Sequence, residues 1–220
     1  MKKLRLFSAV LLLIPATALV VATGQNDATA DPTTTAGGPS FEIVGPEGGF
    51  SLGFDEAHSS VGFSVKHMVV ATVKGTFNEW EGSVWFNPED PGESRINVTI
   101  DVASIDTENE GRDTHLRSPD FFDVEKYPQI TFASEQIERR DEGWVAVGEL
   151  TIRGVTRSVE MSFDLLGPVQ GMGQTRYGAD ARLEINRQDW GVSWNRTLDA
   201  GGLLVSNKVV IEIHVELIAE

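Results

Sequence analysis

The sequence predicts an all-β protein, built as one antiparallel barrel of about eight strands with a short helical insert. Apolar and polar residues alternate with a period of two from Ser51 onward, as they do in strands with one buried face and one wet face. Short polar turns separate these segments, and one longer segment, Asn109–Tyr127, breaks the period. Strands of this kind with short connections form antiparallel sheets, and eight of them can close into a barrel without exposed edges.

The composition fits one domain and argues against several functions. Beyond its first 40 or so residues the chain keeps about 180, enough for one barrel. Lys and Arg number 18 against 33 Asp and Glu, a formal charge of -15. This charge argues against a nucleic-acid-binding or peripheral membrane protein, because phosphates and anionic headgroups are repelled. Cysteine is absent, which excludes disulfides, thiolate metal sites, cysteine nucleophiles and a cysteine-linked lipid anchor.

The N-terminus has the features of an export signal. A positive start is followed by the apolar run Leu6–Val21 and then by small residues. The run is shorter than the about 20 apolar residues of a spanning helix, so we expect cleavage after Ala30, with Ala22 as an earlier alternative. The protein is then periplasmic or secreted and is not an integral membrane protein. The predicted organisation is a signal peptide at 1–30, a flexible Gly/Pro/Thr-rich linker at 31–40 and a barrel domain at 41–220.

Five segments alternate cleanly and therefore define their inward faces. In each segment the apolar side chains share one phase, so we expect that set to face the barrel interior. The inward residues are Val61, Phe63, Val65 and Val69, with His67 among them; Ile96, Val98, Ile100 and Val102; Val159, Met161, Phe163 and Leu165; Ala181, Leu183 and Ile185; and Val209, Ile211, Ile213, Val215 and Leu217.

Three further strands are less regular, at residues 76–86, 129–137 and 143–152. The first slips in phase near Asn78–Glu79, as a β-bulge would make it. Four glycines within the strand patterns either leave space in the interior or mark bulges and bends. They are Gly62, Gly75, Gly82 and Gly148. The alternation alone is equally consistent with a filled core and with a tunnel.

The segment that breaks the period predicts a helix and a turn. It is polar and compatible with a helix as far as Arg117, and then meets Ser118-Pro119 and the aromatic pair Phe121-Phe122. We expect a short helix followed by an irregular turn that the two rings pack. A helical insert between strands can cap one end of a barrel.

Four ordered segments resemble the YceI-like family of exported lipocalin-like proteins. They are SSVGFSVKHMVVATVKGTF, LRSPDFFDVEKYPQITF, GELTIRGVTRSVEMSF and INRQDWGVSWNRTLDAGGLLVSNKVVIEI. The resemblance covers nearly the whole chain after the linker. It implies an extended eight-stranded antiparallel lipocalin-like barrel whose apolar tunnel binds polyisoprenoids or other long amphiphiles. The sequence departs from the family pattern at Trp80 and Trp190, where Phe is common, and at Arg153, Arg157 and Ser158. The larger indole rings are expected to narrow the tunnel.

Several residues are candidates for the binding site. Phe63 and Val65 are inward residues of one strand, and His67 shares their phase. His67 is then either a core histidine that is hydrogen-bonded within the protein or an anchor for the head of a ligand. Arg117 could hold a polar ligand end or pair with Asp113 or Asp120. The remaining candidates are aromatic or amide side chains expected at an apolar wall, facing ligand or core. They are Phe121, Phe122, Trp190, Trp194 and Asn195.

The leading hypothesis is a lipid-binding module that stores, transports or protects a long-chain isoprenoid or similar amphiphile and is not an enzyme. The sequence holds no H-x-x-x-H metal pattern, no G-x-S-x-G and no defensible Ser–His–acid order. We therefore expect neither a metal nor a nucleic acid as partner, and no cofactor beyond a bound isoprenoid or quinone-like lipid. Two alternatives stay open: an enzyme acting on lipid in the same cavity, and a ligand-free, stress-related interaction protein. The oligomeric state is also open, with a homodimer among the alternatives.

Overall fold

The computed structural model describes residues 48–140, 143–199 and 201–220. The chain divides into two units, Met1–Gly38 and Pro39–Glu220, and all described residues belong to the second. The predicted signal peptide and linker lie outside the described residues. No helix within the described part of the chain is long and apolar enough to cross a membrane.

Eleven antiparallel strands and one α-helix form the described part of the chain. The strands are β1 (Phe50–Phe54), β2 (Ser60–His67), β3 (Ala71–Phe77), β4 (Trp80–Phe86), β5 (Arg95–Asp101), β6 (Ile105–Asp106), β7 (Gln129–Arg140), β8 (Gly143–Ile152), β9 (Val155–Gly171), β10 (Gln174–Asn186) and β11 (Val205–Ala219), and the helix is α1 (Glu110–Arg117).

The strands occupy eight positions in a closed ring. Short interruptions divide three positions, so that β1 continues into β2, β3 into β4 and β5 into β6. The order round the ring follows the chain, and β11 closes it by pairing with both β1 and β2. The predicted eight-stranded antiparallel barrel is therefore confirmed. Closure pairs the edge strands with each other and removes their free edges.

The predicted inward faces are confirmed along the five regular strands, with one exception. Core positions such as Val61, Val159, Met161 and Leu217 are buried. Val69 is the exception, because β2 ends at His67 and residues 68–70 form the turn into β3. Val69 is 80% exposed and has a φ of 65°. The inward assignment of Val69 was wrong, because alternation holds only while the backbone stays extended.

Local irregularities lie where the sequence predicts them. The phase slip at Asn78–Glu79 is the break between β3 and β4. A side chain at Gly75 would meet the Phe63 ring, and one at Gly82 would meet the Phe54 ring and the carbonyl oxygen of Asn97. These glycines therefore admit neighbouring side chains and backbone instead of leaving space empty.

The period-breaking segment forms the predicted helix and turn. Asn109 caps α1 by accepting a hydrogen bond from the backbone N–H of Arg112, 2.9 Å away. After the helix, the rings of Phe121 and Phe122 pack on the main core cluster. The insert is joined to β6 by Asp113, which is buried and accepts hydrogen bonds from the backbone N–H and hydroxyl of Thr107.

Candidate functional site: an apolar barrel interior

The barrel interior contains two cavities. The helix-end cavity, of about 160 Å³, lies beside α1 and the start of β11. The second cavity, of about 90 Å³, lies toward β1 and the end of β11. Both are lined by aliphatic and aromatic side chains, with one charged side chain in the first and one hydroxyl in the second among the described residues.

Four side chains line both cavities and form what we call the waist. They are Val61, Val98, Met161 and Ile213. Each is on the inward phase of a different strand, so that the waist is a ring of apolar groups between the two spaces. The cavities adjoin at this ring, and a chain that fills both has to pass through it.

The charged side chain of the helix-end cavity is Arg187, which is only 5% exposed. Its guanidinium donates hydrogen bonds to the backbone oxygens of Ser206, at 3.0 Å, and Val192, at 2.6 Å, and to the side chain of Asn207, at 3.4 Å. No carboxylate of the described residues forms an ion pair with it. Burial lowers the pKa of the guanidinium from its usual range, because desolvation disfavours the charged form.

Arg187 was not among the residues predicted for the site, although the sequence carried a signal for it. Alternation through Ala181, Leu183 and Ile185 assigns position 187 to the inward phase. A short 3-10 turn, Arg187–Trp190, begins at this point, and the Asn186 side chain caps it. The turn brings Arg187 and Trp190 to the end of the barrel.

Five of the predicted site residues meet in the helix-end cavity. Phe63 and Val65 reach it from β2, Phe121 and Phe122 from the turn after α1, and Trp190 from the turn after β10. The Phe77 ring bridges two of these elements, with its centroid 5.8 Å from that of Phe63 and 6.2 Å from that of Phe122.

Arg117 does not line either cavity. Its guanidinium donates to the backbone oxygens of Ala103 and Ile105, both at 2.8 Å, and thereby joins α1 to the β5–β6 connection. The alternative pairing with Asp113 or Asp120 was wrong. Asp113 accepts hydrogen bonds from Thr107, and Asp120 pairs with His115.

The other three predicted site residues also lie outside the cavity walls. Trp194 packs against His115 and Phe121, with ring centroids 4.8 and 5.2 Å away. Asn195 exchanges hydrogen bonds with the backbone of Val205, at 2.7 and 3.1 Å. His67 ends β2, in register with Ala71 and Val205.

The sequence comparisons agree with this geometry. Residues 53–217 match the model of the YceI-like domain. The chain belongs to the YceI-like family. A UPF0312 protein of Photorhabdus laumondii is 38% identical over 134 residues, which cover 60% of this chain and 70% of that protein.

Solved structures show the same barrel. The crystal structure of Burkholderia cenocepacia BcnA, at 28% identity, covers 74% of this chain and 98% of BcnA with a TM-score of 0.65. A polyisoprenoid binding domain from Saccharophagus degradans, at 16% identity, covers 78% of this chain and 98% of the domain with a TM-score of 0.53. The second likeness bears on the fold alone.

The two tryptophans that depart from the YceI-like pattern both line the interior. Trp190 faces the helix-end cavity, and its indole N–H donates to the backbone oxygen of Leu150 at 3.1 Å. A phenylalanine has no donor for this bond. Trp80 lines the second cavity and packs edge-on against Phe54, with the ring centroids 5.2 Å apart.

One further group of ionisable side chains lies apart from both cavities. Asp55, His58 and Glu216 bring ligand-type atoms within 4.8 Å of one another. The Arg176 guanidinium donates to both carboxylates. Hydrogen bonds from His58 and Arg176 lower the pKa of Asp55, and the Asp55 carboxylate raises the pKa of His58. A cation already bridges the two carboxylates, so this group is an ion-pair network and carries no metal assignment.

Proposed function

We propose that this YceI-like protein binds one long apolar chain, an isoprenoid or a similar amphiphilic lipid, inside its barrel. The observation that carries the proposal is the pair of adjoining apolar cavities. Their described lining residues offer van der Waals contact and no carboxylate or imidazole for acid–base chemistry. We therefore propose a binding protein and not an enzyme. The Saccharophagus domain, whose name specifies polyisoprenoid binding, shares the fold that encloses these cavities.

The cavity volumes indicate the size of ligand that fits. An apolar cavity of about 150 Å³ holds one benzene molecule, which has six carbon atoms. The helix-end cavity, of about 160 Å³, then holds roughly six carbon-sized groups. A longer chain has to continue through the waist into the second cavity, of about 90 Å³, which holds roughly three to four more. Burial stabilises such a chain by about 0.8 kcal/mol per CH₂.

The polar end of the ligand is proposed to lie at the helix end. Arg187 is the one ionisable side chain among the described residues that line either cavity. Its five N–H groups exceed the three hydrogen bonds that it makes with the protein. Phe63, Val65, Phe121, Phe122 and Trp190 are proposed to contact the apolar chain beside it.

The role that we propose is storage, transport or protection of this lipid in a periplasmic or secreted setting. It combines the enclosed apolar site with the export signal predicted at residues 1–30. A barrel that surrounds the chain keeps it out of water, as carriage through an aqueous compartment requires.

Native mass spectrometry followed by organic extraction tests the proposal. We expect an adduct on the purified protein whose mass equals that of an extracted single-chain lipid. Leu183→Trp fills the helix-end cavity and should abolish the adduct. Arg182→Trp places the same ring on the exposed face of β10 and should retain it. An adduct that survives Leu183→Trp unchanged, or no lipid in the unaltered protein, refutes the proposal.

A further inference from the structure

The turn between β2 and β3 exposes three consecutive apolar side chains. Met68, Val69 and Val70, which we call the valine tip, are 40%, 80% and 83% exposed. Met68 and Val69 have φ angles of 48° and 65°. Left-handed backbone is strained for a β-branched residue, and turns of this kind favour Asn, Asp or Gly. Neither core packing nor turn geometry therefore accounts for valine at position 69.

Lysines flank the valine tip on both strands. Lys66 precedes it on β2, Lys74 follows it on β3, and the two are half of the four lysines found beyond the predicted signal peptide. The Lys66 ammonium donates to the Thr72 hydroxyl at 2.8 Å. Neither lysine takes part in an ion pair with another described residue. Lys74 lines a surface pocket whose wall also contains Asp106, Glu108 and Glu212. Lys66 is therefore the positive charge that acts on the tip with the fewest carboxylates beside it.

The valine tip adjoins the helix-end cavity. Val65 directly precedes Lys66 and lines that cavity. Val205, which is in register with His67, lines it too. The backbone N–H of Met68 donates to the Leu204 oxygen at 2.8 Å. The tip and the cavity are therefore at the same end of the barrel.

A second exposed turn lacks these flanking charges. Met172, between β9 and β10, is 92% exposed and has a φ of 53°. Its neighbours Gln170 and Gln174 are uncharged, and Arg176 is engaged by Asp55 and Glu216. This turn lies at the end of the barrel where β11 finishes. The Met172 turn resembles the valine tip in its exposure and backbone conformation, and it differs from the tip in having no flanking lysines.

We propose that the valine tip inserts into the surface of an anionic lipid bilayer, with Lys66 and Lys74 at the level of the headgroups. Insertion places the helix-end cavity next to the membrane, from which a lipid can be taken or to which it can be delivered. Membrane docking goes beyond the binding of a lipid in the barrel and does not depend on it.

The local charge and the small area of the valine tip both favour a lipid bilayer as the partner. The net charge of -15 opposes binding of the average surface to anionic lipid, but charges act mainly within a Debye length of about 8–10 Å. Lys66, two residues before Met68, therefore acts on the headgroups at the tip more strongly than distant carboxylates do. Specific protein interfaces bury about 800 Å² on each partner, more than a three-residue turn provides. A bilayer accepts a small apolar insert with cationic flanks.

Vesicle flotation of the Pro39–Glu220 unit tests the proposal. The probe is vesicles of phosphatidylcholine with an equal part of phosphatidylglycerol, compared with phosphatidylcholine alone. We expect the unit to bind the mixed vesicles, and this binding should weaken as the salt concentration rises. Binding to the neutral vesicles should be weaker than binding to the mixed vesicles. Combining Val69→Asn with Val70→Asn should weaken binding about tenfold or more, through loss of apolar burial. Combining Lys66→Gln with Lys74→Gln should reduce binding to the level on neutral vesicles.

Met172→Asn is the matched control, since it makes the same kind of exchange at the other exposed turn and should leave vesicle binding unchanged. Asn tolerates the left-handed backbone, so the melting temperature of the Val69→Asn variant should not fall. The proposal is overturned if the unaltered unit does not float with the mixed vesicles, if the valine variants bind as well as it does, or if Met172→Asn weakens binding equally. Extracted lipid content is a separate readout. Vesicle binding by a protein without internal lipid refutes the proposed function and leaves docking intact.

Discussion

Blocking the waist should shorten the longest chain that the barrel can hold. Val98→Trp introduces a large ring at one of the four positions shared by the two cavities. We expect the variant to bind a short chain in the helix-end cavity as the unaltered protein does, and to lose the additional affinity for a longer one. The reason is that the waist is the passage into the second cavity.

The expected magnitude follows from the volume of the second cavity. About 90 Å³ corresponds to roughly three to four carbon-sized groups, on the scale of an apolar cavity of about 150 Å³ that holds benzene. Their burial contributes at most about 3 kcal/mol at about 0.8 kcal/mol per CH₂. An isoprenoid alcohol of ten carbons exceeds the helix-end cavity by about one isoprene unit. Its advantage over the five-carbon alcohol should be up to about 3 kcal/mol in the unaltered protein and close to zero in the variant.

Displacement of a fluorescent fatty-acid probe by isoprenoid alcohols of five, ten and fifteen carbons measures this dependence. Thr99→Trp is the matched control, because it places the same ring on the outward phase of β5, one residue from the waist. The control should keep the rise in affinity with chain length. Overpacking costs roughly 1–3 kcal/mol of folding stability, so melting temperatures are measured on the same samples.

The reasoning fails if Val98→Trp still prefers the ten-carbon alcohol over the five-carbon alcohol by the same factor as the unaltered protein. The two cavities would then not act as one continuous site. A folded variant that loses all three alcohols together would place the ligand at the waist itself, and it would equally refute the size argument. Met161→Phe, on a strand three positions away round the ring, repeats the test with a smaller increase in volume.

Three further outcomes are expected. Arg117→Met should lower the free energy of unfolding by about 1.5–3 kcal/mol, because the guanidinium bonds two backbone oxygens; an unchanged urea midpoint would contradict this, and Arg117→Lys should restore only part of the loss. His58→Asn should lower the melting temperature at about pH 5, and the difference should disappear as pH rises through the folded-state pKa of His58. The reason is that this raised pKa contributes stability that is fully present below the unfolded value of about 6.5. A difference that grows with pH would reverse the assignment, while the lowered pKa of Asp55 confines its own contribution to pH above about 4. His67→Leu should leave the lipid content unchanged, as His67 lies outside the cavity walls; loss of extracted lipid at an unchanged melting temperature would make it a ligand anchor.

Local sequence patterns were sufficient to predict most of the strands, the faces that point inward and the helix. Alternation identified Met161 and Ile213 as inward residues, because a strand with one wet face repeats every two residues. The polar segment ending at Arg117 predicted α1, and the phase slip at Asn78–Glu79 predicted the break between two strands. Strand β1 was not predicted, although Phe50, Leu52 and Phe54 carry the same alternation on a short segment.

The sequence by itself therefore determined which side chains face inward, and the family pattern determined the barrel. Only the tertiary structure decided what the interior contains. A filled core and a tunnel give the same alternation of apolar and polar residues, because the free volume depends on how side chains from all eight positions pack together. The same holds for Arg187, two of whose acceptors come from β11 and one from Val192. It holds also for Arg117, whose acceptors are in the β5–β6 connection and in β6. Hydrogen-bond partners distant in the chain are set by closure of the ring, which periodicity within one strand does not encode.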